Sequence, residues 1–186
     1  MRLRGRRLAG WREGVALAIL LCAMQGAAAQ QGAPQHARLP AAQQGAVAAN
    51  ADRLRQAVRA DYVLQCAGCH RVDGRGSSPH GIPDFRQSVG AFTHLPAGRE
   101  YLIRVPGAAH SQLSNAELAA VLNWVLDEFS PAQLPADFTP YTEAEVAAAR
   151  PNRYDDVVPV RHRLAEELSS MGFALSEYSY GRDRKP

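Results

Sequence analysis

Lysine, methionine and cysteine are all scarce in this chain of 186 residues. Lysine occurs once, at Lys185, and the only methionine after the first thirty residues is Met171. Three cysteines are too few for a disulfide-rich scaffold. The sequence also lacks internal repeats and the alternating pattern of β-strands, whereas 46% hydrophobic and 21% charged residues are typical of a globular protein. These features exclude collagen, coiled-coil rods and low-complexity polymers, and they favour an all-α fold.

Long hydrophobic runs are also missing, and the longest one, residues 14–24, is shorter than the roughly 20 residues of a membrane-spanning helix. It follows a segment with five arginines and precedes Ala27-Ala28-Ala29. A basic start, a short apolar core and small residues at a cleavage point are typical of a secretory signal. The sequence therefore predicts a signal peptide over residues 1–29, with no membrane-spanning segment left after cleavage and a periplasmic location.

The positive charge of the chain is concentrated in that predicted signal. The whole sequence carries a formal net charge of +3. Residues 1–29 hold five arginines and one glutamate, so residues 30–186 are left with a net charge of −1. A nearly neutral protein lacks the basic surface that nucleic acids require, and we expect no nucleic-acid partner.

The segment Cys66-Ala67-Gly68-Cys69-His70 contains residues that can bind a cofactor. C-x-x-C-H is the attachment signature of c-type haem. Thiols one helical turn apart can bond to the two vinyl groups of one porphyrin edge, and the next residue then lies below the iron as its proximal ligand. The motif predicts one covalently bound haem c, held by Cys66 and Cys69 and ligated by His70.

Other uses of the two cysteines fit the sequence less well. A structural zinc site needs four ligands, and no second cysteine pair is present. A thioredoxin-like redox pair belongs in a βαβ pattern, which this sequence does not show. A disulfide across two intervening residues has poor geometry.

Over about residues 55–130 the chain resembles class I c-type cytochromes, beginning with Tyr62 in the helix before the motif. The matching features are the cysteine–histidine motif, Asp73-Gly74-Arg75-Gly76, Gly81-Ile82-Pro83 and an amphipathic helix over 114–129 that Ser114 and Glu117 cap. The resemblance implies a cytochrome c fold of about three to five helices around the haem, over residues 51–130. Residues 30–50 are expected to be a flexible linker, and residues 131–186 a helical C-terminal extension.

The resemblance also implies two contacts. The carbonyl near Pro83 is expected to accept a hydrogen bond from the Nδ1–H group of His70. The first and last helices of the family cross, so Val121, Trp124 and Val125 are expected near Tyr62 and Leu64.

The sixth ligand of the iron departs from the family pattern. Class I cytochromes usually carry an axial methionine before the last helix, but residues 103–113 contain none. The candidates are His110, Met171 folded back from the extension, and, as a weaker choice, His94. An open or water-bound position is the remaining alternative. Arg99 and Arg104 are candidates for pairing with the haem propionates.

The remaining sequence predicts loops and short helices. Six glycines and four prolines over 71–112 predict a long irregular loop with one short helix near 85–92. Helices are expected over 143–149, capped by Thr142, and over 157–170. The tail after Gly172 is polar and is expected to be loose.

These features together predict a periplasmic single-haem electron carrier, rather than an enzyme, that serves a periplasmic dehydrogenase or oxidase. One alternative is a haem protein with an open distal site that binds or reduces peroxide or nitric oxide. Another is a haem-carrying subunit that docks through residues 131–186 onto a larger redox complex. The sequence leaves the oligomeric state open.

Overall fold

The first helix, α1, runs from Ala41 to Gln65 in the computed structural model, which describes residues 40–181. It includes residues 41–50, the last ten residues of the predicted linker, so the prediction of a linker was wrong for them. These residues are exposed and rich in alanine and glutamine, two residues with high intrinsic helix propensity. The predicted signal over 1–29 and the first part of the predicted linker lie outside the described residues.

The helix α5, Asn115–Phe129, packs against α1 through aromatic rings. The ring centroid of Tyr62 lies 4.9 Å from that of Trp124 and 5.6 Å from that of Phe129. The predicted capping box is present, because the Ser114 side chain accepts a bond from the Glu117 backbone while the Glu117 side chain accepts one from the Ser114 backbone. The predicted contact to Leu64 was wrong, since that side chain is 77% exposed.

The segment between α1 and α5 is more ordered than the sequence predicts. It contains α2 (Ala67–His70), α3 (Pro96–Arg104) and α4 (Pro106–Ala109), with 3₁₀ turns at Ser78–His80 and Val89–His94. Prolines at the first turns of α3 and α4 start these helices rather than break them, because the first helical N–H groups need no partner inside the helix. The prediction of one long irregular loop was therefore wrong.

The C-terminal extension belongs to the same folded unit as the residues before it, which is continuous from Ala41 onward. After a 3₁₀ turn at Pro131–Gln133 come α6 (Glu143–Ala149), capped by Thr142 as predicted, and α7 (Val158–Ser170). Four of its side chains are at most 4% exposed within the common core: Tyr141, Val146, Leu164 and Leu168. The predicted boundary at residue 130 thus does not separate two packing units.

The described part of the tail after Gly172 is packed, which corrects the prediction that it is loose. The Ser176 backbone donates to Ser88 Oγ at 3.2 Å, and Ser176 Oγ donates to the Arg86 carbonyl at 3.1 Å. Tyr178 is buried, and its hydroxyl donates to the Gly81 carbonyl at 3.3 Å. Apolar and aromatic residues spaced among the polar ones anchor this segment.

The predicted all-α class is confirmed. Within residues 40–181 the only β-type pairing is an isolated bridge between Ser77 and Ile82. Among the same residues, no helix has the length and apolar character needed to cross a membrane.

Candidate cofactor site

The cysteine–histidine motif lies at the junction of α1 and α2. Cys66 is the residue before α2, while Cys69 and His70 lie within it. Cys69 is exposed and Cys66 is half-buried. Burial, with a smaller contribution from Cys69, raises the pKa of the Cys66 thiol to about 11. Both cysteines line the same cavity, as the one-turn spacing of the motif requires.

The His70 imidazole is held in one orientation. Its Nδ1 atom lies 3.2 Å from the Pro83 carbonyl oxygen, the contact that the resemblance predicts. A carbonyl oxygen can only accept, so Nδ1 carries the proton and Nε2 keeps a free lone pair for a metal. Burial lowers the pKa of His70 to about 4, with Pro83 opposing the shift and Arg161 adding to it. The ring stacks on Phe85, with centroids 3.9 Å apart.

Gly76 fixes the position of Pro83. Its backbone φ is +60°, a left-handed conformation that favours glycine, and a Cβ atom there would collide with the Pro83 carbonyl oxygen. Its N–H group donates to the His70 carbonyl at 3.0 Å. On the other side of the motif, the Tyr62 hydroxyl donates to the Arg71 carbonyl at 2.6 Å. The loop after the motif is thereby tied to both His70 and α1.

A cavity of about 380 Å³ adjoins the motif, within the size range of cofactor sites. Its wall is mostly apolar. The wall residues from α3 and α5 are Tyr101, Leu102, Leu118, Val121, Leu122 and Val125. Pro83 and Phe85 line it beside His70, and Val157, Arg161 and Tyr178 of the extension also line it. An apolar chamber with two thiols and one imidazole suits a large, flat, mostly hydrophobic cofactor.

The structure does not bring the predicted distal ligands to this cavity. His110 is exposed at the end of α4, although its neighbours Ala108 and Ser111 line the wall. Met171 follows α7 and is 51% exposed. His94 also lies outside the wall, and its Nε2 is 2.9 Å from the Gln133 carbonyl oxygen.

Arg99 and Arg104, predicted as partners of the propionates, are engaged with the extension instead. The Arg99 guanidinium pairs with Glu145, with Nε 2.5 Å from Oε1, and lies 4.1 Å from the centroid of Tyr141. Arg104 donates to the Asn152 carbonyl and lies 4.1 Å from the centroid of Tyr154. The prediction was wrong because these side chains join α3 to the extension and do not line the cavity.

Two arginines of the extension were missed. Arg150 donates to the carbonyls of Ala109, Ser111 and Leu113, at 3.0, 2.5 and 2.7 Å, and so holds the loop between α4 and α5. Arg161 lines the cavity and is only 5% exposed. A partial signal existed, since Arg161 is three residues before Leu164 and shares the apolar face of a predicted helix.

The chain is similar to a cytochrome c-552 of Thermus thermophilus, with 33% identity over 115 residues that cover 52% of this chain and 77% of the relative. A second Thermus thermophilus cytochrome c-552 is 33% identical over 113 residues, covering 51% of this chain and 86% of the relative. No protein-family model and no solved structure matches the chain.

At this identity and coverage the chain belongs to the c-type cytochromes. Its cofactor is covalently bound haem c, and its general role is electron transfer. The residues present fit this group, because the cavity offers thiols at one-turn spacing, an imidazole with Nε2 free, and mostly apolar walls.

Proposed function

We propose that this protein is a periplasmic electron carrier with a single haem c, attached through Cys66 and Cys69 and ligated on the proximal side by His70. The observation that carries the proposal is the orientation of His70 by the Pro83 carbonyl, beside a cavity that both cysteines line. The secretory pattern of residues 1–29 supports the location, because such a pattern directs a chain across a membrane.

The residues around His70 support electron transfer because they limit movement of its imidazole ring. When bound, the haem supplies reversible one-electron chemistry at its iron. The bond to Pro83 fixes the tautomer and increases the donor strength of Nε2. The Phe85 ring stacks on one face of the imidazole and restricts its rotation. The apolar side chains of α3 and α5 exclude water from the cavity. Fewer water molecules then have to reorient when the charge of the cofactor changes, and this favours electron transfer.

The partner is proposed to be a periplasmic dehydrogenase or oxidase. Residues 30–186 have a net charge of −1 and one lysine, so a broad lysine ring is not available for docking. Exposed apolar side chains lie beside the motif, with Leu64 77% and Val72 63% exposed. These favour recognition through a small apolar contact near Cys69, and association that depends weakly on salt.

Loss of covalent haem from a double variant tests the proposed attachment. Cys66→Ala/Cys69→Ala is expected to carry no haem after denaturation, because both thioether bonds are removed. The measurement is the haem-to-protein ratio after denaturing electrophoresis and by mass spectrometry. Gly68→Ala is a matched control inside the motif, since a Cβ there meets no atom within 4 Å. Stoichiometric covalent haem in the double variant would contradict the proposal.

A second candidate function is binding of small ligands at the sixth position of the iron. It is favoured by the cavity wall, which among residues 40–181 contains no methionine and no histidine other than His70. Ligation by His110 or Met171 stays a prediction.

The absorption spectrum of the purified protein separates these cases. A low-spin ferric spectrum that His110→Ala or Met171→Ala converts to high spin supports a carrier with that ligand. A high-spin ferric spectrum with rapid carbon monoxide binding after reduction supports the ligand-binding function. Docking through residues 131–186 alone has less support, because the buried side chains of that segment complete the core.

A further inference from the structure

Arg161 is a buried cation with no acidic partner among the residues that the structure describes. It is 5% exposed, and its Nε atom is buried without a hydrogen-bond partner. Its backbone N–H group donates to the Val157 carbonyl at 3.0 Å, but no hydrogen bond or ion pair joins its side chain to another residue within 40–181. A buried charge left unpaired is strongly destabilising, so such a side chain indicates a missing anion.

Two aromatic rings hold this guanidinium at the cavity wall. Its Cζ atom lies 4.3 Å from the Tyr178 centroid and 5.2 Å from the Phe92 centroid. Both rings line the cavity, and Tyr178 is itself fixed by the bond to the Gly81 carbonyl. Ring contacts stabilise the cation but leave its N–H groups free to donate.

The cavity provides no carboxylate for Arg161. Among the described residues, Asp84 is the one acidic side chain in the wall, and it pairs with Arg86 at 2.6 Å. His70 also faces the same space, with Nδ1 committed to Pro83. On its outer side Arg161 borders a groove that contains Asp156, His162, Glu166 and Glu177, none of which lies within ion-pair distance.

We infer that Arg161 binds a propionate carboxylate of the haem. This inference rests on the haem site proposed above. The propionates are the only anionic groups of the porphyrin ring, and a guanidinium fork matches a carboxylate in two parallel hydrogen bonds. The extension thereby supplies one of the residues that bind the cofactor, through Arg161 and the ring of Tyr178 that positions it.

The reduction potential as a function of pH tests this contact in the holoprotein. In the wild type the guanidinium keeps the propionate ionised, so the potential is expected to change little from about pH 5 to about pH 9. In Arg161→Gln the uncompensated carboxylate stabilises ferric iron, and the potential is expected to fall at high pH. It is expected to rise again as the pH falls through the raised propionate pKa.

Two further variants make the test specific. Arg161→Lys keeps the charge and is expected to restore most of the flat pH profile. Arg163→Gln removes the same charge two residues along α7 from an exposed side chain and is expected to match the wild type. Haem-to-protein ratios are measured for every variant, so a failure of attachment is distinguished from a failure of this contact.

Two results for Arg161→Gln with full covalent haem would overturn the inference. The first is a reduction potential that depends on pH as little as in the wild type. The second is the same flat potential together with an altered affinity of the iron for azide, which would show that the guanidinium interacts with an anion on the iron.

A second experiment applies if Arg161→Gln does not fold. Resonance Raman spectra of Arg161→Lys are then compared with those of the wild type. The propionate bending modes are expected to shift, and unchanged modes would contradict the contact.

Discussion

The contact between His70 and Pro83 depends on Gly76, a residue that does not line the cavity. Gly76 lies against the Pro83 backbone and donates to the His70 carbonyl, so it connects both ends of the proximal contact. Only a residue without a Cβ atom allows this approach. The glycine therefore sets the distance between the imidazole and its acceptor.

Gly76→Ala is expected to lower the free energy of unfolding by about 1–3 kcal/mol, because an alanine there is strained and displaces Pro83. The reduction potential is expected to rise as His70 becomes a weaker donor. Thermal unfolding and potentiometry measure the two effects. Gly45→Ala is the control, since Gly45 is helical and meets no atom within 4 Å, and it is expected to stabilise by about 0.5–1 kcal/mol. A wild-type potential in Gly76→Ala would contradict this role.

At the residue scale, local spacing identified the cysteine–histidine motif, and the resemblance to class I cytochromes implied the contact between His70 and Pro83. That contact joins residues only 13 apart within one loop, so it could be assigned by position along the sequence. Arg161 was not predictable as a cavity residue, because its position depends on α7 folding back over residues far away in sequence. The same distance explains why Arg99 and Arg104 were misassigned.

At the scale of elements, the backbone of the loop between α4 and α5 is held by a side chain from another part of the chain. One side chain, Arg150, donates to two carbonyls of this loop, those of Ser111 and Leu113, and to the carbonyl of Ala109 at the end of α4. Asn115 Oδ1 accepts from the same guanidinium at 3.1 Å. The C-terminal end of α6 therefore fixes a loop that forms part of the cavity wall through Ser111.

Arg150→Ala is expected to lower the free energy of unfolding by about 2–4 kcal/mol, because buried carbonyls lose a charged donor. Hydrogen exchange is expected to accelerate in residues 109–113 more than elsewhere. Thermal unfolding and exchange followed by mass spectrometry check both effects. Arg153→Ala, an exposed arginine after the same helix, is expected to change stability by less than about 0.5 kcal/mol. Equal exchange rates in the loop of both variants would count against the role of Arg150.

Elements with a clear local signal were predicted well. The capping box, the apolar stripe of α5 and the short α6 follow from caps and helical periodicity. The missed α3 begins with Pro96 and is followed by Pro106, a pattern that resembles a loop, and Tyr101, Leu102 and Ile103 of this helix are buried. The early part of α1 was missed for the opposite reason, since alanine-rich exposed residues resemble a linker in composition.

At the scale of the whole molecule, the core is shared between the cytochrome region and the extension. Leu168 is fully buried although it lies near the end of the described chain. A separate docking arm would bury its apolar residues only against a partner. Here they are buried against α3 and its neighbours, so loss of the extension exposes the core.

A pair of matched substitutions measures how much the extension contributes to the stability of the common core. Leu168→Ala is expected to lower the free energy of unfolding by about 2–5 kcal/mol, the usual result of a buried cavity. Leu64→Ala removes the same atoms from a side chain that is 77% exposed and is expected to change stability by less than about 0.5 kcal/mol. Chemical denaturation with haem absorbance and circular dichroism as probes checks both. In Leu168→Ala the two probes are expected to report one coincident transition, and separate transitions would contradict a shared core.

The bonds from Ser176 to Ser88 and from Tyr178 to Gly81 join residues 88 and 97 positions apart. Closing a loop of that length costs conformational entropy, and two hydrogen bonds between neutral groups offset only part of it. Burial of Leu164, Leu168 and Tyr178 therefore contributes most of the stability of this closure. Release of Arg161 from the cavity wall accordingly requires these side chains to leave the core, and breaking the two bonds is not enough.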